Sequence, residues 1–334
     1  MRHQYLQFRQ LYKSLIRAVL LLLSLGLLGA CARIPVVPIG DAQLPEHVEL
    51  ASVPFYPQQA YQCGPAALAT MLVHRKIGVT PEQLVEQVYI PERKGSLQVE
   101  MVAAARAHEL VVYPLAPNLE AVLAEVAAGN PVLVLQNLGF DRLPQWHFAV
   151  VIGYDLSSQS VILRSGTTRR WEGSFRSFIR SWAKGDRWAL VMVEPTDIPA
   201  TAEEGSWLKA ASDLEQTGHI ESARRAYEAA TRRWAGHLSW FALGNVEYVL
   251  GDKQFAERAL RRSVAKESGF AAAWFNLSQI LAEQGCATQA YEARQCAARL
   301  KPNDSRFRGH PSVVGSSEGP ACNRLPQCLP TTER

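Results

Sequence analysis

One cysteine of this 334-residue chain stands where a thiol could act as a nucleophile. Cys63 opens a run of small and apolar residues that predicts a helix over 63–74. Pro65 suits the first turn of such a helix, since its missing N–H would have no partner there. The positive end of a helix lowers the pKa of a thiol, and the thiolate is the attacking form. The pattern therefore predicts a reactive Cys63, and the alternative is a buried structural cysteine.

A histidine that could take the proton of this thiol follows later in the chain. His147 directly precedes the apolar run 148–154, which predicts a strand. At the rim of a sheet, its imidazole could deprotonate Cys63 and later protonate a leaving amine. A single histidine is more often a structural residue, so the pairing with Cys63 carries the prediction.

The elements that must position these two residues alternate in type along 51–193. Helical patterns cover 63–74, 81–88, 98–109 and 119–128, and strand patterns cover 132–136, 148–154, 160–164 and 188–193. Helices that precede strands favour an α+β layer arrangement with a largely antiparallel sheet. Residues 194–204, which contain two prolines, predict a linker.

Together, Cys63, His147 and their surroundings resemble the papain-like cysteine peptidases, specifically the relatives of the bacteriocin-processing peptidases that cut after a double-glycine leader. The resemblance spans about 51–193 and also rests on residues 53–58 and 129–132. It implies a papain-like fold, a peptide or protein substrate, and hydrolysis that needs no cofactor. Delivery of the acyl group to an amine, as in a transferase, uses the same chemistry and stays open.

The resemblance further implies an amide that stabilises the oxyanion. Gln58 is the predicted donor, because its side-chain N–H and the backbone N–H of Cys63 would bind a tetrahedral oxyanion. Gln58 lies one residue closer to the cysteine than the family spacing expects. Gln59 and Gln62 are the alternatives.

The third catalytic member departs from the family pattern. The resemblance implies an Asp or Asn on the strand after the histidine strand, where it would orient the imidazole. Ser165 stands there, and its hydroxyl could accept the ring N–H but supplies no charge. Asp155 and Asn137 are other candidates. This departure keeps a second hypothesis open, namely a catalytically inactive papain-like module that serves as a peptide-binding or assembly scaffold.

The second half of the chain repeats itself. Trp207, Trp240 and Trp274 recur at intervals of about 34 residues, and Gly218, Gly251 and Gly285 follow them at a constant offset. This period and its aromatic and small residues resemble the tetratricopeptide repeat, which is a helix–turn–helix unit. The pattern predicts three repeats over 205–302, with all three tryptophans in the core. Such repeats imply a protein partner or substrate.

The basic excess of the chain lies at its start. The formal net charge is +4, and residues 1–31 hold Arg2, Arg9, Lys13 and Arg17 but no acidic residue. The remainder is formally neutral, so the charge does not favour a nucleic-acid partner. A basic start followed by the short apolar run 18–28 predicts a secretory signal rather than a membrane span.

Residues 28–31 resemble a bacterial lipoprotein box. This resemblance implies that Cys31 becomes the mature N-terminus and carries lipid such as palmitate, with 32–50 as a tether. The alternative is an uncleaved anchor with an incidental cysteine. Ala32 follows Cys31 where an acidic residue would retain the protein at the inner membrane. By this resemblance, Ala32 implies that the mature protein is anchored at the periplasmic face of the outer membrane, if the source is Gram-negative.

Four more cysteines accompany the repeats and the irregular tail 303–334. Cys286 and Cys296 flank one predicted helix that is about 15 Å long, which exceeds the ~7 Å limit for a bridge. Two pairings stay open. Either Cys286 and Cys296 form disulfides with Cys322 and Cys328 in the tail, or Cys322 and Cys328 bond to each other and leave Cys286 and Cys296 as buried thiols. Cys63 and His147 lack companions at metal-ligand spacing, so the sequence predicts no metal site.

Overall fold

The computed structural model describes residues 43–58, 62–307, 309 and 322–328, and within them the first domain is built on one antiparallel sheet. Its strands are β1 His47–Glu49, β2 Val111–Pro114, β3 Val132–Asn137, β4 Trp146–Asp155, β5 Ser160–Ser165, β6 Thr168–Ser174 and β7 Ala189–Val193. Its helices are α1 Cys63–His74, α2 Pro81–Val88, α3 Gln98–Ala107, α4 Leu119–Ala127 and α5 Phe175–Ala183.

The strands follow the order β2-β7-β3-β4-β5-β6, and β1 also pairs with β4. Alternate side chains of a strand point to opposite faces. Leu135, Phe148 and Val150 join the core beneath α1, α2 and α3. The other face packs against α4 and α5. The sheet is therefore covered on both sides, which explains why its central strands are apolar throughout rather than alternating.

Local signals account for the helix starts. Thr80 and Gln83 form a capping box at the start of α2, and Pro81 occupies its first turn. Asn118 caps α4, and Ser174 caps α5, each by accepting a backbone N–H bond. By contrast, α1 has no side-chain cap, so its first N–H groups stay available at Cys63.

Four elements of the first domain depart from the expectations. β2 Val111–Pro114 is not among the strands that the sequence predicts. β1 lies inside the predicted tether 32–50, because His47–Glu49 pairs with the far end of β4. The edge strand β6 is mostly exposed and polar, and it shows no apolar run. The helix α5 was also not predicted, although Phe175, Phe178 and Trp182 bury one face at helical spacing.

The second domain is all-α. Its helices within the described residues are α6 Glu204–Gln216, α7 Ile220–Arg233, α8 His237–Leu250, α9 Lys253–Lys266, α10 Ala271–Glu283 and α11 Ala287–Leu300. Short turns join them into three helical hairpins, so the predicted three-repeat arrangement is confirmed. Gly218, Gly251 and Gly285 each have φ between 81° and 92° in the turn inside a hairpin. This left-handed conformation suits glycine and explains why the residue recurs.

The tryptophans of the repeats differ in burial. Trp207 and Trp274 are buried, as expected. Trp240 is only partly buried, and the guanidinium of Arg262 lies 4.4 Å from its ring centroid. The expectation that all three fill the core is therefore wrong for Trp240, which sits under a cation at the surface.

The described residues of the two domains belong to one compact unit. Arg106 of α3 forms an ion pair with Asp213 of α6 at 2.8 Å. The ring of Tyr113 in β2 lies 6.5 Å from that of Trp207, and its hydroxyl accepts a bond from the Glu203 backbone. The carboxylate of Glu125 also holds Thr201 in the linker. Polar and aromatic contacts thus fix the first repeat against the first domain.

Two disulfides attach the chain beyond the repeats to the last hairpin. Cys286 bonds to Cys322, and Cys296 bonds to Cys328, with Cα separations of 5.5 Å and 6.0 Å. Pairing between the repeat and the tail is therefore confirmed over the local alternative. Leu325 packs against the same core, so residues 322–328 form part of the repeat domain.

Removing one bridge should destabilise the repeat domain. The Cys286–Cys322 bridge closes a loop with a sequence separation of 36, and loops of this size contribute about 3–4 kcal/mol. The double variant Cys286→Ser/Cys322→Ser should lose about that much free energy of unfolding, measured by urea denaturation followed by the helical circular dichroism signal. Cys63→Ser lies in the other domain and is the matched control. Equal stability of wild type and the double variant would contradict the assignment.

Candidate active site

The N-terminus of α1 places Cys63 at the edge of the sheet. Residues 64–72 of this helix are buried, because their small and apolar side chains pack against β3, β4 and β5. Cys63 is the first residue of the helix and is partly buried. The backbone N–H groups of Cys63 and Gly64 face the sulfur. The helix start is thus an electropositive environment for the thiol.

Strand β4 brings His147 to the same edge. His147 is the second residue of β4 and pairs with Gln136 of β3. The backbone N–H of the next residue, Phe148, also faces the Cys63 sulfur. The beginning of β4 and the beginning of α1 therefore meet. The structure brings together the two residues that were predicted to share the chemistry.

Cys63 and His147 line one open cavity of about 940 Å³. One wall is the segment 93–98, and the other is 144–148 at the start of β4. A volume of this size is sufficient for several residues of an extended peptide. The cavity is therefore a candidate substrate site.

Gln58 also lines this cavity. Its backbone N–H donates to the Gly166 carbonyl at 3.0 Å, which holds the segment before α1 against the β5–β6 turn. Its side-chain Nε2 donates to the Phe148 carbonyl at 3.5 Å, a long bond. Of the alternatives, Gln59 lies outside the described residues, and Gln62 precedes α1 without capping it through its side chain.

The three candidates for orienting His147 differ in their distance from the imidazole and in their hydrogen-bond partners. Ser165 Oγ lies 2.8 Å from Nε2 of His147. Asn137 accepts bonds from the backbone of Gly139 and Gln145 and thereby shapes the loop before β4. The structure thus gives Asn137 a role in the loop and leaves Ser165 beside the imidazole.

Asp155 lies far from the imidazole of His147. It ends β4, eight residues beyond His147, and a strand rises about 3.3 Å per residue. Its carboxylate accepts bonds from Ser157 and Ser158 in the following turn, and these lower its pKa to about 2. The residue stabilises the turn at the opposite end of the strand from the cavity.

Burial dominates the electrostatics of the pair. It raises the pKa of the Cys63 thiol above its ordinary value, although the backbone N–H groups of Phe148, Gly64 and Cys63 lower it. Burial also lowers the pKa of His147. Both shifts favour the neutral thiol and the neutral imidazole. Burial thus outweighs the expected lowering of the thiol pKa at the helix start.

Ser96 is a cavity residue that the sequence analysis missed. Its hydroxyl is buried without a hydrogen-bond partner among the described residues. A Cβ added to Gly64 would overlap this side chain, so the glycine makes room for Ser96. In a sequence, a serine just before a helix is usually interpreted as a helix cap. The sequence therefore gives no sign that Ser96 lies in the cavity.

The described residues contain no group of three or more His, Cys, Asp and Glu side chains that could hold a metal ion. They also contain no helix with the length and apolar character that a membrane crossing requires.

The neutral resting pair predicts the pH dependence of alkylation. Iodoacetamide reacts with the thiolate, so a raised thiol pKa should give a rate at Cys63 that keeps rising above about pH 8.5. An ion pair would instead react rapidly near pH 6. The rate is measured by mass spectrometry of the peptide that carries Cys63, with the urea-unfolded chain as reference. A plateau that begins below pH 7 would contradict the neutral pair.

Comparisons with known proteins agree with this architecture. The sequence model of the Peptidase_C39 like family matches residues 50–187. A search of curated proteins found no match. Among solved structures, a C39-like peptidase from Bacillus anthracis is 19% identical, with a TM-score of 0.38, over 45% of this chain and 98% of that chain.

Two further solved structures have a similar level of likeness to this chain. A double glycine motif protease from an AMS/PCAT transporter, in complex with the leader peptide, is 23% identical, with a TM-score of 0.34, over 42% of this chain and 91% of that chain. MamA is 22% identical, with a TM-score of 0.30, over 31% of this chain and 62% of that chain. The family prediction and the fold prediction are confirmed: the first domain matches the model of the Peptidase_C39 like family, and an all-α domain of three helical hairpins follows it.

Proposed function

We propose that this chain is an exported, lipid-anchored cysteine peptidase that cleaves a peptide bond in a peptide or protein. One observation carries the proposal. Cys63 and His147 line the same open cavity, and Ser165 holds the imidazole from behind. The match of this domain to a peptidase family supports hydrolysis as the reaction class.

In the proposed mechanism, the neutral ring of His147 carries its proton on Nε2, which contacts Ser165 Oγ at 2.8 Å. A proton on Nε2 of His147 is donated to Ser165 Oγ, and Nδ1 then keeps its lone pair for the thiol. As the sulfur of Cys63 bonds to the peptide carbonyl carbon, the thiol proton passes to Nδ1. The imidazolium gives this proton to the leaving amine, and water, again deprotonated by His147, hydrolyses the thioester.

Gln58 and the backbone N–H of Cys63 are the proposed donors to the oxyanion. The present bond from Gln58 to the Phe148 carbonyl is long, so the amide can turn to a developing negative charge at small cost. Donors placed in a partly buried cavity act where the dielectric is low, and each is typically responsible for a factor of about 10²–10³ in kcat.

The site variants test the proposal. Wild type, Cys63→Ala, His147→Ala and Gln58→Ala are compared with a thiol-directed activity probe and a proteome-derived peptide library. Cys63→Ala should abolish both labelling and cleavage. His147→Ala should lower cleavage by about 10²–10⁴, and Gln58→Ala by about 10²–10³. Asp155→Asn, at the other end of β4, is the control with unchanged cleavage.

Other outcomes separate the alternatives. Labelling that persists in both Cys63→Ala and His147→Ala would contradict the peptidase site. Labelling that needs both residues, without cleavage of any peptide or protein, would favour acyl transfer to an amine. A folded wild type that neither labels nor cleaves would favour the inactive scaffold.

The repeats are proposed to recruit a partner or a substrate protein. Val249 at the end of α8 is 59% exposed, which leaves an apolar side chain available to a partner. Recruitment predicts a lower KM for a whole substrate protein than for short peptides cut from it. The same cleavage assay measures this difference.

The lipid anchor is proposed on Cys31, which lies outside the described residues. An acyl chain contributes about 0.8 kcal/mol of membrane affinity per buried CH₂. Expressed in a Gram-negative host with an alkyne analogue of palmitate, wild type should incorporate the label and sediment with outer membranes. Cys31→Ser should lose both properties. Label that remains on Cys31→Ser would overturn the anchor.

A further inference from the structure

A second cavity lies behind the proposed catalytic histidine. Leu135 and Gln136 are neighbours in β3 and point to opposite faces of the sheet. Leu135 lines the cavity of Cys63, whereas Gln136 lines a separate cavity of about 260 Å³ on the α5 side. Ser165, which contacts His147, also lines this second cavity.

The charges around the second cavity have one sign. Arg180 and Lys184 line it from α5 and its end, and no acidic side chain does so among the described residues. Lys184 donates to the Gly139 carbonyl at 2.8 Å and lies 3.6 Å from the carboxylate of Asp141, which is 85% exposed. Within the described part of the chain, Arg180 has no carboxylate at ion-pair distance. The cavity therefore favours an anion.

Hydroxyl and amide groups complete the lining. Ser177 and Ser181 of α5 line the cavity together with Gln136, whose amide donates to Ser181 Oγ at 2.7 Å. Ser181 Oγ in turn donates to the Phe178 carbonyl at 3.0 Å, so the hydroxyls left to donate to a ligand are those of Ser177 and Ser165. Hydroxyl donors beside a guanidinium are the groups that bind a carboxylate, which accepts several hydrogen bonds at once. A volume of this size admits a small carboxylate or the end of a peptide.

Ser165 is the physical connection between the two cavities. A hydroxyl has one hydrogen to donate and two lone pairs with which to accept. Its oxygen can accept the N–H of His147 while its hydrogen is donated to an oxygen in the second cavity. Two such bonds in succession place that oxygen about 4–6 Å from the imidazole, the range in which a charge stabilises the protonated ring.

We propose that the second cavity binds a carboxylate group that, through the Ser165 hydroxyl, orients His147 and stabilises its protonated form. The inference rests on the proposed peptidase function. The carboxylate comes either from a small free acid or from the C-terminus of a peptide. The catalytic group of this chain would then be completed by a ligand.

Titratable and charged groups face His147 from both cavities. Those that share its cavity belong to Cys63, Arg93, Lys94 and Asp186. Arg180 and Lys184 face it from the second cavity. Burial is the cause that lowers the pKa of His147 in the unliganded chain. A bound carboxylate raises that pKa, so the proton of Cys63 moves to the ring at lower pH and the thiolate gains population.

Alkylation of Cys63 at pH 6.5 tests the inference without any substrate. Iodoacetamide rates are compared in sodium chloride and in sodium acetate at equal ionic strength. Acetate should raise the wild-type rate by about tenfold for each unit of change in the His147 pKa. Ser165→Ala and Arg180→Gln should abolish the increase. Arg176→Gln, on the same helix but outside the cavity lining, is the matched control and should keep it.

A second test places a carboxylate on the chain itself, at position 165. Ser165→Asp should alkylate rapidly at pH 6.5 with no response to acetate. No acetate effect in wild type, together with no effect of a peptide bearing a free C-terminus, would overturn the inference. An acetate effect that is equal in Arg180→Gln would also overturn it.

The source of the carboxylate is assigned by comparing peptides. Activation by acetate assigns a free acid. Activation by a free-acid peptide but not by its amidated form or by acetate assigns the peptide terminus. An acetate effect on alkylation, with no cleavage of any peptide or protein, would contradict the proposed peptidase function and leave the carboxylate site intact.

Discussion

The pairing of β4 with its neighbours on both sides is the constraint on which the first domain depends. β4 binds β3 along one edge, β5 along the other, and β1 at its far end. This pairing fixes His147 at the edge where α1 begins and places Asp155 at the opposite end. At Gly153 a Cβ would lie 2.5 Å from the Val48 carbonyl oxygen, so the close approach of β1 requires glycine. The geometry of the proposed catalytic pair is thus a consequence of strand register.

The chemistry of the site follows from a competition between burial and nearby dipoles. Three backbone N–H groups lower the pKa of Cys63, yet burial outweighs them. Ser165 orients His147 without adding a negative charge, so nothing opposes the lowering of the imidazole pKa by burial. Both pKa shifts favour a neutral thiol and a neutral imidazole, so in the proposed reaction proton transfer accompanies the attack of the sulfur. An anion supplied from outside the chain would change this balance, which links the second cavity to the reaction.

Elements whose residues form a recognisable pattern within a short segment could be predicted from the sequence. Continuous apolar runs predict β3, β4, β5 and β7, and the recurrence of tryptophan and glycine predicts the helical hairpins. The edge strand β6 escapes prediction because its exposed face is polar. The contacts of Ser165 and Ser96 could not be predicted from the sequence either, because each depends on residues that are distant in the chain. β1 is too short to stand out from the residues before it, and only pairing with β4 identifies it.

The protonation state of His147 in the resting enzyme tests the central claim most directly. The ¹⁵N chemical shifts of its ring nitrogens at pH 7, assigned by comparison with His147→Ala, report which of them carries hydrogen. The account predicts a neutral imidazole with the proton on Nε2, directed at Ser165, and an unprotonated Nδ1. A ring protonated on both nitrogens at this pH, in the absence of any added carboxylate, would contradict it.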